Sequence, residues 1–452
     1  MFHQKNVKTN IFERLTTAQT LMLGYLIFII TGSVILMLPF SLSGDNSLSL
    51  INAIFTTTSA ISGTGLIVVD TATHFTLLGQ GVIITLIQIG NVGYMLFFAI
   101  AVFIIGGRLS FFNRVMLRES ISTSRLDLML FTRKVFKYTF VVETVSAILL
   151  TSYWIKDFGF PEALKQGIFH AVSAFCSAGF STFSNNLMDF HNDYYVNAVI
   201  IATSYLGSCG FFVLYDLSRY SKGIFKKRNE YKVSTHTKLV LTVSLTIITT
   251  GALFLIFSES INPKNLETNK VLTSIFMSSS AANSVGFNTV SVDALSDSSL
   301  FFIIMQMFIG GSPSGTGGGI KTTVFALIIL GLFAYALDRK NINVFKRTIN
   351  PVYVARAFAI MLMSAFSIFI CVMILTFTEE QVFLHLLFEA VSAFGNNGIS
   401  VGFTSEISTA GQLVLSYLML LGRVGPLIIG YTFASRIKSE FYQYPEGNIL
   451  IV

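Results

Sequence analysis

Apolar positions along the chain gather in long unbroken runs, with neither the strict alternation of a strand nor the one-sided stripe of a soluble helix. Eight runs stand out, at about 20–40, 76–106, 135–155, 194–218, 238–257, 298–337, 354–377 and 410–435. Each reaches the roughly 20 residues that a helix needs to cross a ~30 Å hydrocarbon core. Inside each successive pair of runs lies a shorter helix-like segment of roughly a dozen residues, such as Leu164–Ala174, too short to span and therefore read as re-entrant. The pattern predicts four units, each a span, a re-entrant helix with its loop, and a second span.

The sequence of the short segments repeats as well. Phe, three residues, Ser-Ala, four residues and Gly recur as Phe55–Gly65, Phe169–Gly179, Phe276–Gly286 and Phe388–Gly398. The glycines are 114, 107 and 112 residues apart, so the copies divide the chain into 1–107, 108–218, 219–337 and 338–452. Small residues at such spacing also let helices pack closely, but four copies in one phase, each between two spans, favour a shared functional loop. The predicted class is an all-α polytopic membrane protein of four tandem outer helix–pore helix/loop–inner helix units around one pore.

Composition agrees with that class. Hydrophobic residues make up 53% and charged residues 12%, about half the ~25% of an average soluble domain. Mean hydropathy is +0.69. With 44 Phe, 7 Pro and 3 Cys, disorder, collagen and a disulfide scaffold are excluded. Cys176, Cys209 and Cys371 stand singly and the 6 His form no HExxH, so no metal site is suggested. No nucleophile–base pair lies inside the apolar runs, which argues against an enzyme. The net charge of +7 is explained by topology: 24 of 30 Lys and Arg fall in the tails and between-unit linkers, against four in the within-unit segments. By the positive-inside rule both termini and the linkers are cytoplasmic, with no role for nucleic acid. Two spans per unit make the repeats parallel, unlike the inverted repeats of many secondary transporters.

The four loops are Ser62-Gly63-Thr64-Gly65, Cys176-Ser177-Ala178-Gly179, Asn283-Ser284-Val285-Gly286 and Gly395-Asn396-Asn397-Gly398. None carries a charge. Non-helical backbone at membrane depth survives only where it is buried in protein or lines a water-filled path. Rings of backbone carbonyls can replace the hydration shell of a cation, with glycine turning them toward the axis. On these residues the chain resembles the KtrB/TrkH/HKT superfamily of potassium transporters, most closely its bacterial KtrB type, over essentially its whole length. The resemblance implies four pore units around one potassium pathway, with Gly65, Gly179, Gly286 and Gly398 as the filter glycines. Because family members with serine in the first filter lean toward sodium, Gly65 implies potassium.

The sixth run is too long for one straight span, and it carries its own break: Gly310, Gly311, Ser312, Pro313, Ser314, Gly315, Thr316, Gly317, Gly318 and Gly319, followed by Ile320 and Lys321. It is not a phosphate-binding loop, since no Gly-Lys-Ser/Thr is present. The expected element is a mobile loop beneath the filter, and the resemblance implies an intramembrane gate at this place. Arg423, near the middle of the last run, is a costly intramembrane charge and a second gate candidate. The resemblance places it in the pore below the filter, where a fixed positive charge raises a barrier to a cation. Lys321 has two open readings, a positive charge near the pore or a side chain snorkelling to the surface. Gly90-Asn-Val-Gly93 and Gly207-Ser-Cys-Gly210 align with Gly422–Gly425 and are read as close-packing sites or hinges, with packing favoured.

Two transport readings stay open, potassium uptake and a sodium-coupled or sodium-permeable relative of the same fold. The resemblance further implies K+ as the transported ion, a homodimer in the bacterial plasma membrane, and a cytosolic ring of RCK-type regulatory subunits that bind ATP or ADP. The lipid bilayer is the other expected partner. No organic cofactor is expected in this chain, and whether Na+ acts as an activator is left open.

Overall fold

The computed structural model describes residues 17–44, 46–92, 125–225, 232–261, 269–339 and 341–435. In chain order the longer described helices are α1 (Thr17–Leu36), α2 (Leu50–Ser62) and α3 (Leu77–Asn91). Next come α4 (Arg125–Phe158), α5 (Phe160–Phe175), α6 (Tyr194–Ser208) and α7 (Phe211–Phe225). After them lie α8 (Thr235–Ile261), α9 (Lys270–Ala282), α10 (Asp297–Ile309) and α11 (Thr322–Ala336). The last are α12 (Pro351–Thr378), α13 (Phe383–Gly395) and α14 (Thr409–Ser435). A small antiparallel hairpin, β1 (Ile342–Val344) with β2 (Arg347–Ile349), precedes α12 and departs from a purely helical reading. The N-terminal tail, the second half of the 76–106 run with Gly93, and Arg436 and Lys438 lie outside the described residues.

Local chemistry sets the helix starts. The side chains of Ser49, Asn269, Asp193 and Ser296 each accept an amide hydrogen bond at the first turn of α2, α9, α6 and α10. Pro161 and Pro351 occupy the first turns of α5 and α12, where a missing N–H costs nothing. The phenylalanines that open the four repeats, Phe55, Phe169, Phe276 and Phe388, are all buried and seat the short helices α2, α5, α9 and α13 inside the molecule.

The surface of the long helices is apolar, and polar groups are buried beside an apolar core. Large apolar side chains such as Phe140, Leu253, Phe257, Phe369 and Phe377 are exposed on the long helices, while Ser59, Thr64, Ser177, Asn396 and Asn397 are fully buried. That distribution suits a lipid surround, with polar groups gathered at the buried loops. Among the described residues, Phe131–Phe158, Thr235–Ser260 and Pro351–Thr378 are long and apolar enough to cross a membrane.

The fourth apolar run, 194–218, does not form the straight span its composition predicts. It bends by 99° between α6 and α7. Gly210 sits at the corner with φ +98°, and a Cβ there would lie 2.5 Å from the Pro313 carbonyl oxygen. The Phe211 amide donates to the Ser314 carbonyl at 3.2 Å, so the segment after α10 takes over an acceptor role that a continuing helix would fill. The break expected in the 298–337 run is present, between α10 and α11.

Candidate ion pathway

Each repeat builds the same loop. The amide one residue before the repeat glycine donates to the carbonyl of the motif serine: Thr64 to Ser59 at 2.9 Å, Ala178 to Ser173 at 2.8 Å, Val285 to Ser280 at 2.9 Å and Asn397 to Ser392 at 2.9 Å. The residue before that has positive φ in all four, Gly63 at +67°, Ser177 at +52°, Ser284 at +54° and Asn396 at +46°. Three of these are not glycine, and left-handed backbone is costly for them. The serine side chain then grips the far side. Ser173, Ser280 and Ser392 donate to the carbonyls of Phe180, Phe287 and Ile399 at 2.8, 2.7 and 2.7 Å, and Ser59 accepts from the Gly65 amide at 3.0 Å. The motif serine therefore acts as a clamp, a role that its place in the repeat does not disclose.

The four glycines close on one another in a ring. Their φ angles are +94°, +66°, +92° and +85° for Gly65, Gly179, Gly286 and Gly398. A Cβ on Gly65 would stand 2.4 Å from the Ala178 oxygen, on Gly179 2.7 Å from that of Val285, on Gly286 2.3 Å from that of Asn397, and on Gly398 2.0 Å from that of Thr64. Each glycine thus faces the next loop's backbone in chain order, and the fourth faces the first. A side chain at any of the four meets a carbonyl oxygen closer than van der Waals contact allows. The short helices end at these loops, so their partially negative C-termini converge there.

The segment Gly310–Lys321 lies against three of the loops. Thr316 is fully buried and all its polar groups are engaged. Its amide donates to the Gly207 carbonyl at 3.1 Å, and its hydroxyl donates to the Phe175 carbonyl at 2.9 Å and lies 2.9 Å from the Ser177 hydroxyl. Its carbonyl accepts from the Arg423 guanidinium. A Cβ on Gly317 would be 2.8 Å from the Asn283 oxygen, and one on Gly318 2.5 Å from the Gly395 oxygen. The Ser312 amide donates to Ser208 at 3.0 Å, and Gly311 donates to Gly318 at 3.1 Å, closing the segment on itself. Pro313, Ser314 and Gly315 face α6 and α7; a Cβ on Gly315 would stand 2.3 Å from the Ser208 oxygen.

Arg423 is buried in α14, which runs through it unbroken. Besides Thr316, its second terminal nitrogen lies 3.5 Å from the carbonyls of both Gly90 and Asn91 on α3. Lys321 turns back to the Gly317 carbonyl at 2.5 Å, so its ammonium stays with the segment. The packing glycines behave alike: a Cβ on Gly90, Gly207 or Gly422 would lie 1.8, 1.9 or 1.7 Å from the carbonyl of Ile61, Phe175 or Phe394, the residue four before each repeat glycine. Among the described residues no group of His, Cys, Asp and Glu could hold a metal ion.

The chain is similar along nearly its whole length to known cation transport proteins. The family profile described as TrkH, cation transport protein, matches residues 13–443. "Ktr system potassium uptake protein B" of Bacillus subtilis is 35% identical over 440 residues, covering 96% of this chain and 97% of that protein. The protein of the same description from Vibrio alginolyticus is 33% identical, covering 95% and 94%. "Potassium/sodium uptake protein NtpJ" of Enterococcus hirae is 30% identical, covering 98% and 99%. The crystal structure of the potassium transporter TrkH from Vibrio parahaemolyticus superposes with a TM-score of 0.72 at 18% identity, over 95% of this chain and 87% of that one, a likeness of fold. The repeat loops, the broken third inner helix and the match along nearly the whole chain lead to one assignment: this is a membrane protein of the TrkH cation transport family.

Proposed function

We infer that the chain is the pore-forming subunit of a Ktr-type potassium uptake system of the bacterial plasma membrane. It is a transporter and not an enzyme. The observation that carries the reading is the ring of four glycines, each with positive φ and each within contact of the next loop's backbone. In this reading, carbonyls of residues 62–65, 176–179, 283–286 and 395–398 exchange for the water around K+, and the converging helix C-termini stabilise the bare ion. Membrane potential drives entry, worth ~2.3 kcal/mol per charge per 100 mV. Both termini face the cytoplasm, and four parallel units enclose a single pathway.

Gly310–Gly319 with Lys321 forms the gate, and Arg423 holds it under the filter. Opening requires the Thr316 contacts to break. A homodimer carries one pathway per subunit. A cytosolic RCK-type ring that binds ATP or ADP shifts the gate, in keeping with the multi-component Ktr system to which the two potassium uptake relatives belong. No organic cofactor takes part.

The test is potential-driven Rb+ or K+ influx into proteoliposomes holding the purified protein, with Na+ as competitor. Influx of K+ that Na+ does not match is the expected result. Na+ carried as readily as K+ would instead support the second reading, a sodium-permeable transporter, which the potassium/sodium uptake relative brings into view.

A further inference from the structure

Behind the fourth loop is a buried carboxylate that the repeat pattern does not announce. Glu389 is the second residue of its motif and is fully buried. Its Oε1 accepts from the Ser400 hydroxyl at 2.5 Å and from the Val401 amide at 3.0 Å, and its Oε2 accepts from the Thr404 hydroxyl at 3.0 Å. All three donors lie on the turn that leaves Gly398. Among the described residues no Lys or Arg pairs with it. A buried carboxylate without a counter-cation is expensive, and one kept by three donors from a single turn shapes that turn.

The second unit repeats the device with different chemistry. His170 holds the same motif position and is also fully buried. Its Nδ1 lies 2.8 Å from the Gln166 carbonyl, so Nδ1 carries the proton and Nε2 accepts from the Ser181 hydroxyl at 2.9 Å. Ser181 and Ser400 stand two residues after Gly179 and Gly398 respectively. In units one and three the matching pairs are Thr56 with Ile67 and Met277 with Asn288, and no hydrogen bond joins either pair. Around the ring, units two and four are opposite. The fourfold loop pattern therefore conceals a twofold one, in which alternate loops are braced from behind.

We propose that Glu389 is a positioning residue for ion selection: it fixes the turn after Gly398 and so sets the spacing of the fourth loop's carbonyls, with His170 bracing the opposite loop. This rests on the reading of the loops as a potassium filter. A cation smaller than K+ is rejected only while the carbonyl ring resists closing around it, and a loop released on its outer side resists less.

The test compares K+/Na+ flux ratios, KM and maximal rate in proteoliposomes for wild type, Glu389→Gln, Glu389→Ala and Met277→Leu. Glu389→Gln retains an acceptor for Ser400 and Val401 and turns an amide toward the Thr404 oxygen, so its ratio stays near wild type. Glu389→Ala releases the turn, and its ratio falls about tenfold, the scale of one lost charged hydrogen bond, while maximal rate is kept. Met277→Leu, at the motif position that makes no hydrogen bond to its own loop, leaves the ratio alone. A wild-type ratio in Glu389→Ala overturns the proposal, and so does an equal fall in the Gln and Ala variants, which would make charge and not positioning the cause. If Glu389→Ala does not fold, Thr404→Val decides: a smaller fall in ratio supports the brace and an unchanged ratio overturns it. A wild type that carries K+ and Na+ alike overturns the filter reading itself, whereas a selective wild type with an equally selective Glu389→Ala overturns this inference alone.

Discussion

Replacing Arg423 with Gln tests the gate most directly. In the structure the guanidinium donates to the Thr316 carbonyl from α14 and lies 3.5 Å from two carbonyls of α3. A hydrogen bond from a charged group contributes about 1.5–3 kcal/mol. If that contact exists only while Gly310–Lys321 lies under the filter, its loss raises the open-to-closed ratio about 10- to 150-fold, at tenfold per 1.4 kcal/mol. Removing the charge also lowers the barrier that it raises to a cation, so both effects act in one direction. The assay is Rb+ influx at fixed potential in proteoliposomes without a cytosolic partner, normalised to reconstituted protein. Influx rises until the segment is open all the time, which sets the ceiling. Thr316→Val supplies an internal check, because it keeps the carbonyl that Arg423 uses and removes the hydroxyl bonded to Phe175. Both changes act on one residue, so the double variant should exceed either single variant by less than the product of their effects. Influx at or below the wild-type level in Arg423→Gln, with normal incorporation, would refute this reasoning.

Three further outcomes are expected. Deleting Gly311–Gly319 raises Rb+ influx in the absence of the regulatory partner, and unchanged, still regulated influx would count against a gating role. Gly398→Ala places a methyl group 2.0 Å from the Thr64 oxygen at φ +85°, so K+ influx should fall about 5- to 150-fold from strain on the order of 1–3 kcal/mol, read in the same assay. Gly422→Ala, whose Cβ would stand 1.7 Å from the Phe394 carbonyl, should lower the thermal midpoint in detergent by several degrees, since the contact is backbone and cannot step aside.

The repeat and its glycines were legible in the sequence because the same backbone need recurs four times and glycine answers it each time. The break at Gly310 was legible for the same reason, since no straight helix tolerates that composition. The strain at Ser177, Ser284 and Asn396 was not, because an ordinary residue there hides a left-handed backbone that the clamp imposes. Glu389 and His170 are not legible in the repeat, because position two of the motif is Thr, His, Met and Glu in turn and its partners belong to the tertiary structure. Arg423 was visible as a charge in an apolar run, but its partner on Thr316 is 107 positions away and belongs to the tertiary structure. Gly207 and Gly210 both lie against backbone oxygens, as close packing expects, and Gly210 is in addition the corner of the 99° bend, which its contact with Pro313 shows and its sequence does not.

That bend has a mechanical consequence. The amides of Phe211 and Phe212, at the head of α7, find acceptors in the Ser314 carbonyl and hydroxyl, at 3.2 and 3.4 Å. Farther along the same helix, the Asp216 carboxylate holds the Ser234 amide at 2.9 Å and the Thr237 hydroxyl at 2.7 Å, at the start of α8. A rod of 15 residues, about 22 Å long at 1.5 Å per residue, is thus pinned at its head to Gly310–Lys321 and along its length to the next unit. The segment cannot withdraw without freeing the amides at the head of that rod, so the position of Gly310–Lys321 and the seating of α7 against the start of α8 are tied together.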